Sequence, residues 1–203
     1  MEIKGYPSFP FAEKARKGGF FMSKNRMSLK ILVASSLMVA ISIVCGKYLA
    51  IPGGDVLRFS FENLPIMMAG MLFGPAAGVA VGVVADLVGC ILVGYTVNPL
   101  VTLGAATIGF VSGLVWLVFK HNRSFSYGAR IVFSVSFAHL LGSVLIKTFG
   151  LAAYYAFPIW ELMLWRLLNY AIVGAIEGTL LYILLKNKLL MKQFSAIYSD
   201  EKE

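Results

Sequence analysis

Charged residues are scarce in this chain of 203 residues: aspartate, glutamate, lysine and arginine together make up 14%, whereas hydrophobic residues make up 59%. This composition excludes a soluble globular domain, in which about a quarter of the residues are charged, and it predicts a membrane protein. The spans are expected to be helices, because a helix closes its own backbone hydrogen bonds in lipid. Five apolar stretches are long enough, at residues 29–51, 62–93, 98–119, 131–156 and 162–185.

Signatures of enzymatic chemistry are also missing. The sequence contains no GxxxxGK[ST] loop, no HExxH pair and no closely spaced cysteines, so we predict no catalytic residue, no cofactor and no metal ligand. The two cysteines, Cys45 and Cys90, fall in apolar stretches and are interpreted as buried thiols. Ser136 and His139 could imitate a nucleophile and its base, but no acid is expected beside them. The net charge of +8 comes without a nucleic-acid-binding motif.

The distribution of basic residues predicts the topology. Fourteen of the eighteen lie before residue 31, between residues 120 and 130, or after residue 185. Basic segments stay in the cytoplasm, so an even number of spans must separate each from the next. The stretch 62–93 must therefore hold two helices, divided at Gly74-Pro75, and the first would be only about 18 Å long and would need protein around it. We predict an all-α membrane protein, a six-helix bundle with both termini cytoplasmic.

Three regions follow from this topology. The membrane-embedded, ligand-binding bundle is assigned to residues 28–187. Residues 1–27 are predicted to form a mobile cytoplasmic tail, in which Met22 and Met27 are alternative start positions. Residues 188–203 are predicted to form a second cytoplasmic tail.

Small residues recur at a spacing of four on three of the predicted helices, a pattern that lets helix backbones approach closely. On the third and fourth helices we interpret these stripes as packing within the bundle. The stripe on the first helix could equally meet another membrane subunit. The positions are Ser36 and Ala40, then Gly74, Gly78 and Gly82, then Ala105, Gly109 and Gly113.

Ionisable residues within the spans are the main candidates for function, because each costs several kcal/mol when it is unpaired in lipid. The topology puts most of them in the outer half of the bundle, with His139 near the middle and Glu177 nearer the cytoplasm. We expect the cations Lys147 and Arg166 to outnumber the buried acid available there. Simpler interpretations are a lysine partner for Asp86, a satisfied His139 and a contact between helices for Glu177. The full set is Lys47, Asp86, His139, Lys147, Arg166 and Glu177.

The outer loops carry aromatic and polar residues that could close a ligand pocket. In residues 51–63, apolar Phe59 and Phe61 alternate with Arg58 and Glu62, which indicates an extended lid. Tyr95 and Asn98 lie at the mouth of the fourth helix. On the last helix, Trp165 and Asn169 flank Arg166, and together they would suit a flat, anionic ligand. The aromatic loop before that helix could equally be an interfacial belt.

Two runs resemble a known family. RFSFENLPIMMAGMLFGPAAGVAVGVVADLVG at 58–89 and GYTVNPLVTLGAATIGFVSG at 94–113 are similar to the folate-family substrate-binding subunits of energy-coupling-factor (ECF) vitamin transporters. The LFGP turn before a GxxxGxxxD helix, and IKTFGL before the last helix, are the more specific parts. The resemblance covers residues 28–187, most of the chain.

The resemblance implies a six-helix subunit of a bacterial cell membrane that captures a vitamin from outside with high affinity. It also implies partners: membrane lipid, a transmembrane coupling subunit and two ATPase subunits, which would hydrolyse the ATP. Relatives dock through an AxxxA pattern on the first helix, where this chain has Ser36 and Ala40.

Folate is the vitamin that the resemblance and the polar residues together suggest. The pterin edge presents two adjacent donors, which Asp86 could accept as a bidentate pair, with Asn98 or Asn169 as alternatives. Other vitamins of the same transporters, such as riboflavin or a pyrimidine precursor, remain alternatives, as do a small intramembrane enzyme and a structural subunit. The remaining candidate binding residues are Phe59, Phe61, Tyr95 and Trp165 for ring stacking, Arg58, Lys147 and Arg166 for the glutamate carboxylates, and His139.

Overall fold

The computed structural model describes residues 29–52, 58–120, 125–155 and 158–199, and this part of the chain is almost entirely helical. The predicted N-terminal tail, residues 1–27, lies outside the described residues. The elements in chain order are α1 (Leu29–Ile43) with a π-helical turn (Val44–Tyr48), strands β1 (Ile51–Pro52) and β2 (Arg58–Phe59), α2 (Asn63–Phe73), α3 (Pro75–Val93), α4 (Pro99–Lys120), α5 (Tyr127–Ala138), a π-helical stretch (His139–Ile146), α6 (Lys147–Tyr155), α7 (Ile159–Lys186) and α8 (Lys188–Ser199). The two short strands pair antiparallel, with Ile51 opposite Phe59.

Several of these helices are long and apolar enough to cross a membrane. Large hydrophobic side chains are exposed along their outer faces, as expected of surfaces in contact with lipid. The predicted multi-span, all-α class is therefore confirmed, whereas the count of six spans and the side on which the termini lie stay predictions. The five spans are Leu29–Tyr48, Pro75–Val93, Pro99–Phe119, Tyr127–Tyr154 and Ile159–Lys186.

Helix α2 is the short helix that the sequence predicted between the first outer loop and Gly74. Its 11 residues span about 16 Å, too little to cross a bilayer alone. Ten of them are buried, because α1, α3 and α4 pack around the helix. Gly74 has a φ of 101°, a conformation that side chains disfavour, and Pro75 then opens α3. The predicted division of the stretch 62–93 into two helices is confirmed.

Helices α3 and α4 pack through their small residues. A Cβ atom built on Gly78 would lie 2.5 Å from the carbonyl oxygen of Gly109, and one on Gly82 would lie 2.5 Å from that of Ala105. The two backbones are therefore in direct contact, which a side chain at either glycine would prevent. The interpretation of both stripes as packing within the bundle is confirmed.

The segment after the last span contains a helix that the sequence analysis did not predict. In α8, Met191 is buried in the core, and the ring of Phe194 packs edge-on against Phe73 at the end of α2, with centroids 5.7 Å apart. The spacing of Met191 and Phe194 is a helical signal, but the short apolar face is hidden among polar residues. Helix α8 thus covers the end of α2.

Candidate functional site

Polar side chains gather where α1, α3, α4 and α6 meet the start of α2. We call this group the outer polar cluster, after the predicted topology. Most of its members line one cavity of about 10 Å³, which is about the space that one water molecule needs. The members are Ser42, Lys47, Glu62, Asp86, Thr102 and Lys147.

The strongest contact in this cluster joins Lys147 to Glu62. The Nζ atom of Lys147 donates to Oε1 of Glu62 over 2.9 Å, and Lys147 is only 4% exposed. The hydroxyl of Ser42 donates to the backbone carbonyl of Glu62 over 2.7 Å and ties the start of α2 to α1. The expectation that Lys147 and Arg166 outnumber the acid available there left out Glu62, which was assigned to an extended loop and here turns into the bundle to meet Lys147.

Three glycines make room for the charged side chains of the cluster. A Cβ atom on Gly46 would lie 2.6 Å from Oε2 of Glu62 and one on Gly89 would lie 2.8 Å from Cε of Lys47. One on Gly104 would lie 2.5 Å from Cγ of Lys147. At Gly46 and Gly104 the added atom would also meet Cβ of Glu62 and the carbonyl oxygen of Gly142, at 2.7 and 2.8 Å, so Glu62 and Lys147 lie in spaces that glycine leaves open. The end of the Lys47 side chain could shift away from a larger residue at Gly89.

The carboxylate of Asp86 has a hydroxyl partner. Oγ1 of Thr102 donates to Oδ2 of Asp86 over 2.6 Å, across the interface between α3 and α4. The sequence analysis proposed a lysine as partner and did not single out Thr102. A signal was present, because Asp86 continues the Gly78 and Gly82 stripe and Thr102 continues the facing stripe of α4. Asp86 is half-buried and lines the cavity beside Lys147.

Lys47 lies at the edge of the outer polar cluster. Its Nζ atom is 3.8 Å from Sγ of Cys90 and 5.7 Å from the centroid of the Tyr95 ring. Tyr95 is 51% exposed, so its ring covers the lysine from outside and does not line the cavity. Cys90 is buried, as predicted, whereas Cys45 is half-buried.

A second group, the central polar cluster, surrounds the π-helical stretch deeper in the bundle. Nε2 of His139 lies 2.7 Å from Oε2 of Glu177, and Nδ1 of His139 lies 3.3 Å from Oγ of Ser143. All three side chains are buried. The simpler interpretations of His139 as a satisfied histidine and of Glu177 as a contact between helices agree with this geometry.

The expectation that no acid lies beside His139 is wrong. Helix α7 brings Glu177 to the imidazole, and the adjacent hydroxyl is that of Ser143, whereas Ser136 is exposed. A serine, histidine and glutamate in contact resemble a hydrolytic triad. The hydroxyl of Ser143 is fully buried, however, so no substrate can reach it in this arrangement.

Arg166 is bound to the π-helical stretch and does not project into the cavity. Its Nε and Nη2 atoms donate to the backbone carbonyl of Ser143 over 3.3 and 3.1 Å, and Nη2 donates to the hydroxyl of Tyr170 over 3.3 Å. Asn169 is buried near Arg166, but Trp165 is 56% exposed on the outer surface of α7. The structure therefore does not bring Trp165 into the predicted patch.

The remaining predicted residues differ in burial and in their contacts. Asn98 starts α4: its Oδ1 accepts from the amide of Leu100 over 3.0 Å, and its Nδ2 donates to the carbonyl of Gly150 over 2.9 Å. These bonds give Asn98 a structural role. Phe59 and Phe61 are half-buried beside the outer polar cluster. The side chain of Arg58 lies outside the described part of the chain.

A groove of about 720 Å³ runs between α5, the π-helical stretch and α7. His139 and Tyr170 lie along it, and Gly174 and Gly178 leave it open. It shares no lining residue with the cavity of the outer polar cluster. In the described ranges no three side chains of the metal-binding types gather together.

Comparison with known families gives a match over most of the chain. Residues 26–189 fit the sequence model of the family described as "ECF-type riboflavin transporter, S component". This is a family of transport subunits and not of enzymes, so the predicted class of function is confirmed. The resemblance seen in residues 58–113 is confirmed at the level of ECF S components.

Two curated relatives are similar to most of this chain. "Folate transporter FolT" of Clostridium novyi (strain NT) is 26% identical over 155 residues, which are 76% of this chain and 87% of the relative. A "UPF0397 protein" of Clostridium perfringens (strain SM101 / Type A) is 24% identical over 149 residues, 71% of this chain and 75% of the relative.

Two solved structures share the fold. The "crystal structure of FolT bound with folic acid" has a TM-score of 0.62 at 23% identity and covers 76% of this chain and 91% of that one. "Structure and mechanism of the S component of a bacterial ECF transporter" describes a second, with a TM-score of 0.52 at 19% identity, covering 85% of this chain and 99% of that one. Both support the helical arrangement described above.

Proposed function

The chain belongs to the family of ECF-type riboflavin transporter S components, and we propose that its ligand is a folate-type vitamin, captured at the outer face of the membrane and delivered inward. The observation that carries this proposal is the convergence of two carboxylates and two lysines on one cavity; the predicted topology puts that cavity in the outer half of the bundle. Such groups are expensive within a membrane unless a ligand or a pairing uses them.

The outer polar cluster contains groups that could bind either end of folate, the pterin edge or the glutamate carboxylates. Asp86, held by Thr102, offers carboxylate oxygen to the adjacent donors of a pterin edge. Lys147 and Lys47 supply cations for the glutamate carboxylates. The aromatic rings of Phe59, Phe61 and Tyr95 are the proposed stacking residues for a ligand that opens the cluster from outside. Arg166, Asn169 and His139 do not line this cavity, so they would contact only a part of the ligand that reaches beyond the cluster.

The cavity must open before a vitamin can enter. Its volume of about 10 Å³ is far below the several hundred Å³ of an ordinary ligand pocket. Strand β2 leads through Phe61 to Glu62, which lines the cavity. We propose that Glu62 moves away from the cavity to admit the ligand.

The transport role adds proposals about topology and partners. Six spans with both termini in the cytoplasm, in a bacterial cell membrane, fit the basic residues. Ser36 and Ala40 are exposed on α1 and leave a flat surface on which the coupling subunit could dock. Two ATPase subunits bound to that subunit would supply the energy, since the sequence contains no phosphate-binding loop.

Riboflavin is a second candidate, and the description of the matching family favours it. Its ring system is flat and has hydrogen-bonding edges similar to those of a pterin, but it carries no carboxylate. Lysines near the cavity therefore favour folate, whereas a site that needs only Asp86 and ring stacking would also accept riboflavin.

Titration of the purified chain with folic acid and with riboflavin tests the proposal. We expect tighter binding of folic acid, and we expect Asp86→Asn to weaken it about ten- to a hundredfold, because a charge-assisted hydrogen bond contributes about 1.5–3 kcal/mol. Glu161→Gln, which neutralises an exposed acid at the start of α7, is the matched control and should bind as the wild type does. Unchanged folate binding by Asp86→Asn would remove that residue from the site, and tighter binding of riboflavin would replace folate as the ligand.

A further inference from the structure

We propose that the groove between α5 and α7 binds an anionic phospholipid of the cytoplasmic leaflet, with one acyl chain lying along the groove and the headgroup beside Lys186. The groove shares no lining residue with the cavity of the outer polar cluster. The inference is therefore independent of the vitamin that the chain binds.

The rim of the groove is apolar and open. Val132, Leu140 and Leu167 line it and are 58%, 45% and 48% exposed. All three lie within the candidate spans Tyr127–Tyr154 and Ile159–Lys186. Exposed apolar surface of this kind in a membrane protein contacts lipid, so the groove is open to acyl chains.

The floor of the groove contains two glycines. A Cβ atom on Gly178 would meet no atom within 4 Å, and one on Gly174 would lie 3.3 Å from Cδ2 of His139. Packed protein leaves few voids of this size, so the space beside Gly178 needs an occupant from the membrane. Such an occupant gains the van der Waals contacts that the neighbouring helices do not supply.

The dimensions of the groove suit an acyl chain. Along α7 it runs from Leu167 to Tyr182, about 22 Å. One leaflet contributes about half of a hydrocarbon core of about 30 Å, so a whole acyl chain fits along this length. A volume of about 720 Å³ over that length corresponds to a width of about 6 Å, less than the roughly 10 Å of a helix with its side chains. The groove is therefore too narrow for a helix of another subunit.

One end of the groove carries a positive charge. Tyr182 lines this end, and its hydroxyl accepts a hydrogen bond from Nζ of Lys186 over 3.1 Å. Lys186 is exposed one turn beyond Tyr182, at the end of α7. The predicted topology puts this end at the cytoplasmic surface of the membrane, where lysines attract anionic headgroups.

The other end of the groove is apolar. Val144 and Leu167 line it, whereas Arg166 turns away and donates to the backbone carbonyl of Ser143. None of the residues described along the groove is acidic. The complementary molecule therefore has an anion at the Lys186 end and a hydrocarbon chain along the rest, as an anionic phospholipid does.

The headgroup contact can be tested with two lipids that differ in charge. The full chain, purified in detergent, is titrated with phosphatidylglycerol and with phosphatidylcholine, and bound lipid is counted by native mass spectrometry. We expect phosphatidylglycerol to bind about fivefold more tightly, and Lys186→Gln to remove this preference without changing the affinity for phosphatidylcholine. Lys188→Gln removes the same charge from an exposed lysine at the start of α8 and should keep the preference. Equal affinity of the wild type for the two lipids, or a preference that survives in Lys186→Gln, would overturn the inference.

The contact with the acyl chain needs a second pair of variants. Ala175 lines the groove and is exposed, so Ala175→Phe puts a ring in the groove without burying it in the core. Both lipids should bind this variant at least about tenfold more weakly, because two or more methylene groups lose their burial. Ala80→Phe, on the exposed face of α3, is the matched control and should bind lipid as the wild type does.

The two pairs of variants leave no outcome open. Thermal melts show whether Ala175→Phe is folded, and the lysine variants test the headgroup with the groove unchanged. Undiminished lipid binding by folded Ala175→Phe would overturn the inference. If that variant also lost uptake by cells, the groove would instead be assigned to a partner subunit.

Discussion

Adding one methyl group at Gly78 should destabilise the protein, although alanine is the better helix former. A Cβ atom there would lie 2.5 Å from the carbonyl oxygen of Gly109, whereas ordinary contact begins at 3.4 Å, so α3 and α4 must separate by about 0.9 Å. Helix propensity favours alanine by about 1 kcal/mol. Overpacking against backbone, which cannot rotate away, costs about 1–3 kcal/mol. We therefore expect Gly78→Ala to lose up to about 2 kcal/mol of unfolding free energy.

Gly178 offers a matched control for the same change. An added Cβ atom there meets no atom within 4 Å, so Gly178→Ala should keep its propensity gain of up to about 1 kcal/mol. In a chain of this size about 2–4 °C of melting temperature corresponds to 1 kcal/mol, so the two variants should differ by roughly 2–12 °C in detergent. Equal shifts, or shifts of the same sign, would refute the argument from close packing.

Gly78→Ala should also weaken ligand binding. The hydrogen bond between Asp86 and Thr102 crosses the interface that Gly78→Ala would widen. Gly178→Ala, on α7, leaves that interface intact. Titration of both variants with folic acid separates a loss of binding from a general effect of the added methyl group.

Two further predictions concern the central polar cluster and the docking surface. Glu177→Leu should cost about 1–3 kcal/mol of unfolding free energy, because His139 loses its buried partner. The double substitution Glu177→Leu/His139→Leu should cost much less than the sum of the two single losses. Strictly additive losses in thermal melts would contradict the pairing. Ala40→Leu should leave vitamin binding unchanged but lower uptake by cells about tenfold, equivalent to about 1.4 kcal/mol of docking free energy. Ala80→Leu, on the exposed face of α3, should leave both binding and uptake unchanged. Normal uptake with Ala40→Leu would remove α1 as the docking surface.

The helical class and the packing of α3 against α4 could be predicted from the sequence, because both depend on local patterns. Gly74-Pro75 marks a break that backbone geometry alone demands. The stripes containing Gly78 and Gly109 face each other because only small residues permit that approach. Carried two turns further outward, the same stripes lead to Asp86 and Thr102.

Glu62 shows why the partners of charged residues could not be predicted. An alternation of apolar and polar residues indicated an extended loop, but the loop ends at a helix too short to span the membrane. Its first residues therefore lie within the bundle, where Glu62 meets Lys147. How far the start of α2 lies inside the bundle depends on how α2 packs among three other helices. No local sequence pattern predicts that packing.

The direction of side chains on the long helices was the other feature that could not be predicted from the sequence. Trp165 and Arg166 are adjacent in sequence, so both were assigned to one patch, yet neighbours on a helix point about 100° apart. Arg166 turns inward to the carbonyl of Ser143, whereas Trp165 faces out. Likewise, His139 meets Glu177 because a π-helical stretch and α7 come together.

The central proposal is that the outer polar cluster binds a vitamin. Purification of the chain from cells, followed by absorbance and mass spectrometry of any small molecule that it retains, tests this claim most directly. We predict a pterin-containing vitamin in the wild-type protein and its loss in Asp86→Asn. A retained molecule that stays bound to Asp86→Asn with undiminished occupancy would contradict the account.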